Sequence, residues 1–103
     1  MDSPDPRMSA QTLKVLVELL SAPRRELSGS EVSASTKIAS GTLYPILFRL
    51  EKAGWLESRW ESEEPVSLGR PRRRYYKVTA LGAVKARNLL ADIHPAMGRL
   101  AWT

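Results

Sequence analysis

Four arginines, one lysine and no acid stand in the run Arg70-Pro71-Arg72-Arg73-Arg74-Tyr75-Tyr76-Lys77. Solvated charge runs usually mix signs, and this one does not. A guanidinium grips a phosphate through two parallel N–H donors and fits a narrow minor groove, so the run suits an anionic polymer. A second stretch, Ser40 to Gly54, reads SGTLYPILFRLEKAG. Leu43, Ile46, Leu47 and Leu50 fall at i, i+3, i+4 and i+7, the apolar stripe of a helix. The opposite face carries Thr42, Tyr44, Phe48, Arg49 and Lys52 where a merely solvated face would carry Glu and Lys. Hydroxyls, rings and positive charge together suit an anionic partner with flat or apolar edges.

Other chemistries find no support. His94 is the one histidine and there is no cysteine, so no metal-ligand spacing, disulfide or thiolate is available. No Ser-His-Asp arrangement, phosphate loop or carboxylate pair stands out. Binding rather than catalysis is expected, with no catalytic residue, metal or cofactor.

Composition narrows the partner. The chain has 103 residues, 43% of them hydrophobic, and a net charge of +5. That is enough for one domain and one core, and it argues against disorder. The basic balance favours nucleic acid first, an anionic membrane surface second, and plain solubility otherwise. A domain of this size buries only about 65% of its unfolded surface, so dimerisation is a natural supplement. The start, MDSPDPRM, is acidic and Pro-rich, unlike a signal peptide. The richest apolar run, Leu13 to Leu20, is interrupted by Lys14 and Glu18 and is far short of a membrane span. A soluble, cytoplasmic protein is the expectation.

The elements that must position the two basic stretches follow from pattern. Residues 1–8 read as a flexible lead-in. Ser9 to Ala22 reads as a helix with Leu13, Leu16, Val17 and Leu20 on its core stripe. Val15 and Leu19 form a surplus apolar face that either meets another subunit or touches the same core from its flank. Ser28-Gly29-Ser30-Glu31 fits a capping box for a short helix from about Gly29 to Ser35. Thr36 to Ala39 is a tight link, and Ser40 is expected to cap the next helix, which Gly54 ends. Two short helices joined this way make a helix-turn-helix. Pro45 cannot donate to the Gly41 carbonyl, so the helix either begins nearer Thr42 or has an irregular first turn.

After Gly54 the period becomes two. Trp55–Glu61 and Arg72–Val78 read as strands, with Leu56 and Trp60 on one side and Tyr76 and Val78 facing in. Ser62–Pro71 reads as the loop between them, and the three form a wing. Glu61, Glu63 and Glu64 on the outgoing arm should point away from a phosphate. Trp55 should pack back on the helix that Gly54 ends, and Trp60 should stack across the hairpin or cover its base. Thr79 can cap a last helix from Ala80. Ala86, Leu90, Ile93, Met97 and Leu100 then repeat at 4, 3, 4, 3, a short heptad seam. Pro95 interrupts that seam. The helix either continues onto a partner or folds back onto its own core.

The residues resemble the PadR family of bacterial winged-helix transcription regulators. Gly41-Thr42-Leu43-Tyr44-Pro45 with Leu47, Arg49-Leu50-Glu51 and Gly54 is similar to the family's reading helix. Gly69-Arg70-Pro71-Arg72 with Tyr75-Tyr76 is similar to its wing, and Val78-Thr79-Ala80-Leu81-Gly82 to the entry of its C-terminal helix. The resemblance spans about Ser9 to Leu90. It implies a homodimer in which the C-terminal helix packs near the partner's first helix, and repression of a nearby promoter relieved by a small molecule or stress signal. Carried over by position, Thr42, Tyr44, Pro45 and Arg49 contact groove and phosphates, and Arg70 and Arg72 contact DNA from the wing. Some short-tailed members bind flat aromatic compounds between subunits, which makes a small aromatic effector a candidate partner. Trp102 would then serve either dimer packing or stacking on that compound. Ending at Thr103, the chain is expected to lack the large effector-sensing domain of longer members, so a ligand would use the dimer interface.

The expected fold is mainly α with a small β-hairpin wing (α+β). A winged helix-turn-helix occupies 9–79 and a C-terminal dimerisation helix 80–103. The expected function is sequence-specific regulation of transcription as a homodimeric repressor on an inverted-repeat operator. The alternative is a winged-helix protein-interaction module whose basic edge serves solubility. Expected contacts with double-stranded DNA are Lys37, Ser40, Thr42, Tyr44, Pro45, Arg49, Arg70, Arg72 and Arg73. The expected dimer interface is Val15, Leu19, Leu90, Ile93, Met97, Leu100 and Trp102.

Overall fold

The computed structural model describes residues 5–21 and 26–93, the side chain of Ile93 excepted. The expectations placed on Ala22, on residues 23–25 and on His94, Pro95, Met97, Leu100 and Trp102 lie outside the described residues. Helix α1 spans Ala10–Leu20, and the Ser9 hydroxyl accepts from the Thr12 amide at 3.1 Å. It buries Thr12, Val15, Leu16, Leu19 and Leu20, while Val17 is 46% exposed. The buried stripe is thus rotated from the expected one. Val15 and Leu19 are spent on the chain's own core, which leaves them no surface for another subunit.

Strand β1, Leu27–Ser28, leads directly into helix α2, Gly29–Thr36. The capping box forms as expected: the Ser28 hydroxyl accepts from the Glu31 amide, and the Glu31 carboxylate accepts from the Ser28 amide at 2.9 Å. Thr36 still belongs to α2, and Lys37 ends it in the left-handed conformation at φ 63°. Hydroxyls lock the turn that follows. Ser33 Oγ donates to the Ile38 carbonyl at 2.6 Å, and Thr36 Oγ1 accepts from the Ile38 amide at 3.3 Å. Ile38 is thereby pinned into the core.

Helix α3, Ser40–Lys52, begins at Ala39, which caps it with no side-chain bond; Ser40 is its first helical residue, not its cap. The helix runs on through Pro45 instead of starting at Thr42. The Gly41 carbonyl that Pro45 leaves without a donor lies on an exposed residue, where water can satisfy it. Gly54, at φ 82°, ends the helix as expected. Its amide donates to the Glu51 carbonyl and that of Trp55 to the Leu50 carbonyl, the paired bonds of a Schellman turn. Trp55 goes into the core.

The sheet has three strands in the order β1-β3-β2, all antiparallel. Strand β2 is Leu56–Trp60 and strand β3 is Arg74–Val78, each slightly shorter than the periodicity predicts. Leu56 pairs with Val78 and Trp60 with Arg74. β1 had no signature in the sequence; it adds Leu27 opposite Tyr76 and Ser28 opposite Tyr75. The wing loop is not wholly irregular, since Pro65–Leu68 forms the short helix α4, closed by Gly69 at φ 70°. Helix α5, Ala80–Ile93, starts from Thr79, whose hydroxyl accepts from the Gly82 amide at 3.0 Å. Ala86 and Leu90 enter the same core as α1 and α3. Leu90, expected at a subunit boundary, is only 7% exposed within the single chain.

Candidate nucleic-acid interface

The sequence of α3 divides the helix cleanly. Leu43, Ile46, Leu47 and Leu50 are buried, and Ser40, Thr42, Tyr44, Pro45, Arg49 and Lys52 are exposed. Phe48 is 58% exposed on the same outer face, an uncommon position for a ring with nothing against it. Lys37 is exposed at the turn before α3. Every contact expected on this helix and its turn therefore faces out.

Tyr44 is half exposed and held from beneath. Its ring lies so close to Gly29 that a Cβ there would fall 2.7 Å from ring atoms. Glycine at the start of α2 is what lets the tyrosine lie flat. The small strand β1 fixes this corner, because its pairing with β3 sets the start of α2 beside the wing. The result is an open groove of about 550 Å³ whose lining includes Ser28, Gly29, Ser30, Tyr44, Trp60 and wing residues Arg70–Arg74. Tyr44 and the arginine run are brought together across it. Lys37, Ser40 and Arg49 are not among its lining residues. Sequence reasoning missed Ser28, Gly29 and Ser30 as part of this surface. The capping box located them on α2, but only the long-range β1–β3 pairing puts them next to the arginines.

The arginines are less free than their run implies. Arg70 makes a two-pronged pair with Glu61, at 2.6 and 3.1 Å. Arg72 donates from Nε to the Glu63 carbonyl at 2.9 Å and pairs with Glu64 at 3.2 Å. Glu61 and Glu64 thus turn onto the arginines, so in the free chain Arg70 and Arg72, the two expected wing contacts, are each held by an acid of the same loop. Arg70 and Glu61 are nine residues apart in sequence, and the loop folds back to bring them together. Arg74 stacks on Trp60, 5.1 Å from the ring centre, which places Trp60 across the hairpin as expected. Arg73 is exposed, and its side chain makes no ion pair among the described residues.

Glu61 is the clasp of the wing. The hydrogen bonds from Arg70 and then from the Arg73 amide, the latter at 2.7 Å, lower its pKa from 4.5 to about 2. A depressed folded-state value means that Glu61 adds stability above its ordinary pKa and that this is lost as pH falls toward about 2. Glu61→Gln should therefore flatten the loss of stability between pH 4.5 and 2, measured by denaturant titration across that window. An unchanged profile would show that the clasp does not form in solution. Burial pushes the Tyr76 hydroxyl above its ordinary value, in keeping with its place in the floor of the groove.

Residues 26–88 match the transcriptional regulator PadR-like family. The chain belongs to that family. A PadR family transcriptional regulator from Eggerthella lenta DSM 2243 is similar at 28% identity and a TM-score of 0.65, over 90% of this chain and 86% of that one. Wild-type MarR from E. coli, in its apo form, shares 19% identity with a TM-score of 0.70, over 91% of this chain and 64% of that one. Bacillus subtilis PadR in complex with operator DNA shares 19% identity with a TM-score of 0.65, over 80% of this chain and 48% of that one. These last two likenesses are of fold. No curated protein matches the chain. PadR-like membership covers α2, α3, the wing and most of α5, the elements that carry both basic stretches. It is a family of transcriptional regulators. Among the described residues no helix is long and apolar enough to cross a membrane.

Proposed function

We propose that this PadR-like regulator is a homodimeric repressor that binds an inverted-repeat operator in double-stranded DNA. The reading helix α3 of each subunit enters a major groove, with the wing lying along the flanking backbone. The observation that carries this reading is the outer face of α3. Thr42, Tyr44, Pro45 and Arg49 project from a helix whose other side is locked into the core, and Tyr44 shares its groove with the exposed Arg73 of the wing. A helix held so rigidly presents its side chains to base edges at fixed positions. The operator complex of Bacillus subtilis PadR lends the reading support by fold.

The dimer draws on the apolar surface that the single chain leaves uncovered. Val17 on α1 and Leu81 and Val84 on α5 are exposed. They supply what Val15, Leu19 and Leu90 cannot. We assign residues 9–79 to the DNA-binding domain and 80–103 to the dimerisation helix, with Ile93, Met97, Leu100 and Trp102 continuing the interface. A sizing run should give twice the 11.5 kDa chain mass; a monomer would remove the two-fold operator. A small aromatic effector between the subunits is the proposed release signal, and the cytoplasm the proposed location.

Salt tests the reading against a protein-interaction module. Lys37, Arg49, Lys52 and Arg73 are exposed and make no ion pair among the described residues. Two copies of these four should neutralise about eight phosphates, so log affinity should fall against log salt with a slope of roughly −7. A module that keeps its basic edge for solubility would show no salt-dependent duplex binding. The pairing of Arg70 and Arg72 with acids makes them poor discriminators, and Arg49 and Arg73 take their place.

A further inference from the structure

Glu51 lies near the end of α3, at the edge between its buried and exposed faces. Its carboxylate accepts a hydrogen bond from Ser58 Oγ of β2 at 2.5 Å and pairs with the Arg74 guanidinium of β3 at 3.5 Å. Arg74 Nε donates to the same Ser58 hydroxyl at 2.9 Å, and the guanidinium plane lies over Trp60. Ser58 and Trp60, two residues apart on β2, share one face of the sheet, and Arg74 is the cross-strand partner of Trp60. A closed polar triangle, backed by a ring, therefore joins the reading helix to both strands of the wing. The wing's other described ion pairs are different in kind. Arg70–Glu61 and Arg72–Glu64 link the wing to itself, and Arg59–Glu26 joins β2 to the residue before β1. Glu51–Arg74 is the pair that ties α3 to the wing.

We propose that Glu51 and Arg74 are positioning residues that fix the wing relative to α3, and that this brace sets sequence specificity by holding the backbone-contacting wing and the base-reading helix in one spacing. This rests on the proposed DNA-binding function. A negative charge beside a DNA-binding surface weakens binding to any phosphate backbone. Glu51 therefore makes sense at this edge if its gain comes from geometry. Two elements held at a fixed separation discriminate between duplexes because only one register satisfies both; a hinged wing adds affinity for any duplex and little discrimination.

Two measurements on the full chain test this. The chain has no cysteine, so Lys52→Cys and Val66→Cys can carry a pair of spin labels reporting the distance from α3 to the wing. Pulsed electron resonance on the free protein should give one narrow distance, which broadens when Glu51→Gln or the milder Ser58→Ala is added. An unchanged distribution in both variants would overturn the brace. In the second measurement, Glu51→Gln should lower operator affinity by about tenfold while affinity for random duplex holds or rises, with an unchanged urea midpoint. Exchanging the charges, Glu51→Arg with Arg74→Glu, should recover part of the operator preference. Equal tightening on both duplexes would make Glu51 a repulsive charge only and would also overturn the proposal. If the parent protein showed no operator preference at all, the DNA-binding function would fail, and the spin-label distances would still decide whether the brace exists.

Discussion

Arg49→Ala should cost roughly 10- to 100-fold in operator affinity, the range of one good base-edge contact, and leave the unfolding midpoint where it was. The asymmetry comes from the geometry of α3. Arg49 is exposed, makes no ion pair among the described residues, and stands on the face away from Leu43, Ile46, Leu47 and Leu50. Its removal therefore opens no cavity. Arg73→Ala should act differently, weakening operator and random duplex alike and reducing the salt slope by about one per subunit, as expected of a phosphate contact. Competition binding against random duplex at several salt concentrations separates the two. If Arg49→Ala lowered both affinities equally, Arg49 would be a phosphate contact and specificity would have to come from Thr42 and Tyr44.

The largest stability effect should come from Gly82→Ala. A Cβ at this position would overlap the Trp55 carbonyl oxygen and lie 2.8 Å from its carbon. These are backbone atoms and cannot rotate away. The same carbonyl accepts the Thr79 amide at 3.0 Å, so it is held from two sides. Relief requires α5 to move outward, which draws Ala86 and Leu90 from the core. Overpacking of this kind typically costs about 1–3 kcal/mol, and a rigid neighbour puts it at the upper end. For a domain of this size that lowers the thermal midpoint by roughly 10–20 °C. Gly41→Ala is the matched control. A Cβ there meets nothing within 4 Å, and the helix should gain about 0.5–1 kcal/mol. Thermal unfolding of both variants checks the pair; equal behaviour would mean that α5 does not seat against Trp55 in solution.

Local signals were readable where one residue decides one feature. The Ser28–Glu31 capping box, the left-handed Gly54 and the Thr79 cap are each written in a few adjacent positions, and each forms. The α3 stripe was equally plain, because its polar face contains no competing apolar line. α1 was ambiguous for the opposite reason. Two overlapping helical stripes were available, one through Val15 and Leu19 and one through Leu13 and Val17. Only packing against the rest of the core chooses between them. The start of α3 depends on where the turn releases the chain. Lys37 turns left-handed and Ile38 is pinned inward, so Ala39 and not Ser40 becomes the cap.

The features of the site that escaped the sequence are all long-range. β1 has two residues, too short for a periodic signal, and exists because β3 pairs with it. It nevertheless decides that Gly29 lies under Tyr44. The arginine run was visible as charge, but its partition was not. Arg70 and Arg72 turn to acids across the wing loop, Arg74 turns to Glu51 on another element, and Arg73 is left exposed with no ion pair among the described residues. Composition reports how much positive charge there is; the fold decides how much of it remains for a partner.

Two copies of the α3 face are proposed to read one two-fold DNA sequence. The most direct test is selection of bound fragments from the source genome with the intact protein, followed by competition against random duplex. The expected result is an enriched inverted repeat whose half-site centres lie about 10–10.5 base pairs apart, or a multiple of this, bound well above random duplex at the same salt. Recovery of fragments with no shared sequence, held no more tightly than random duplex, would contradict it.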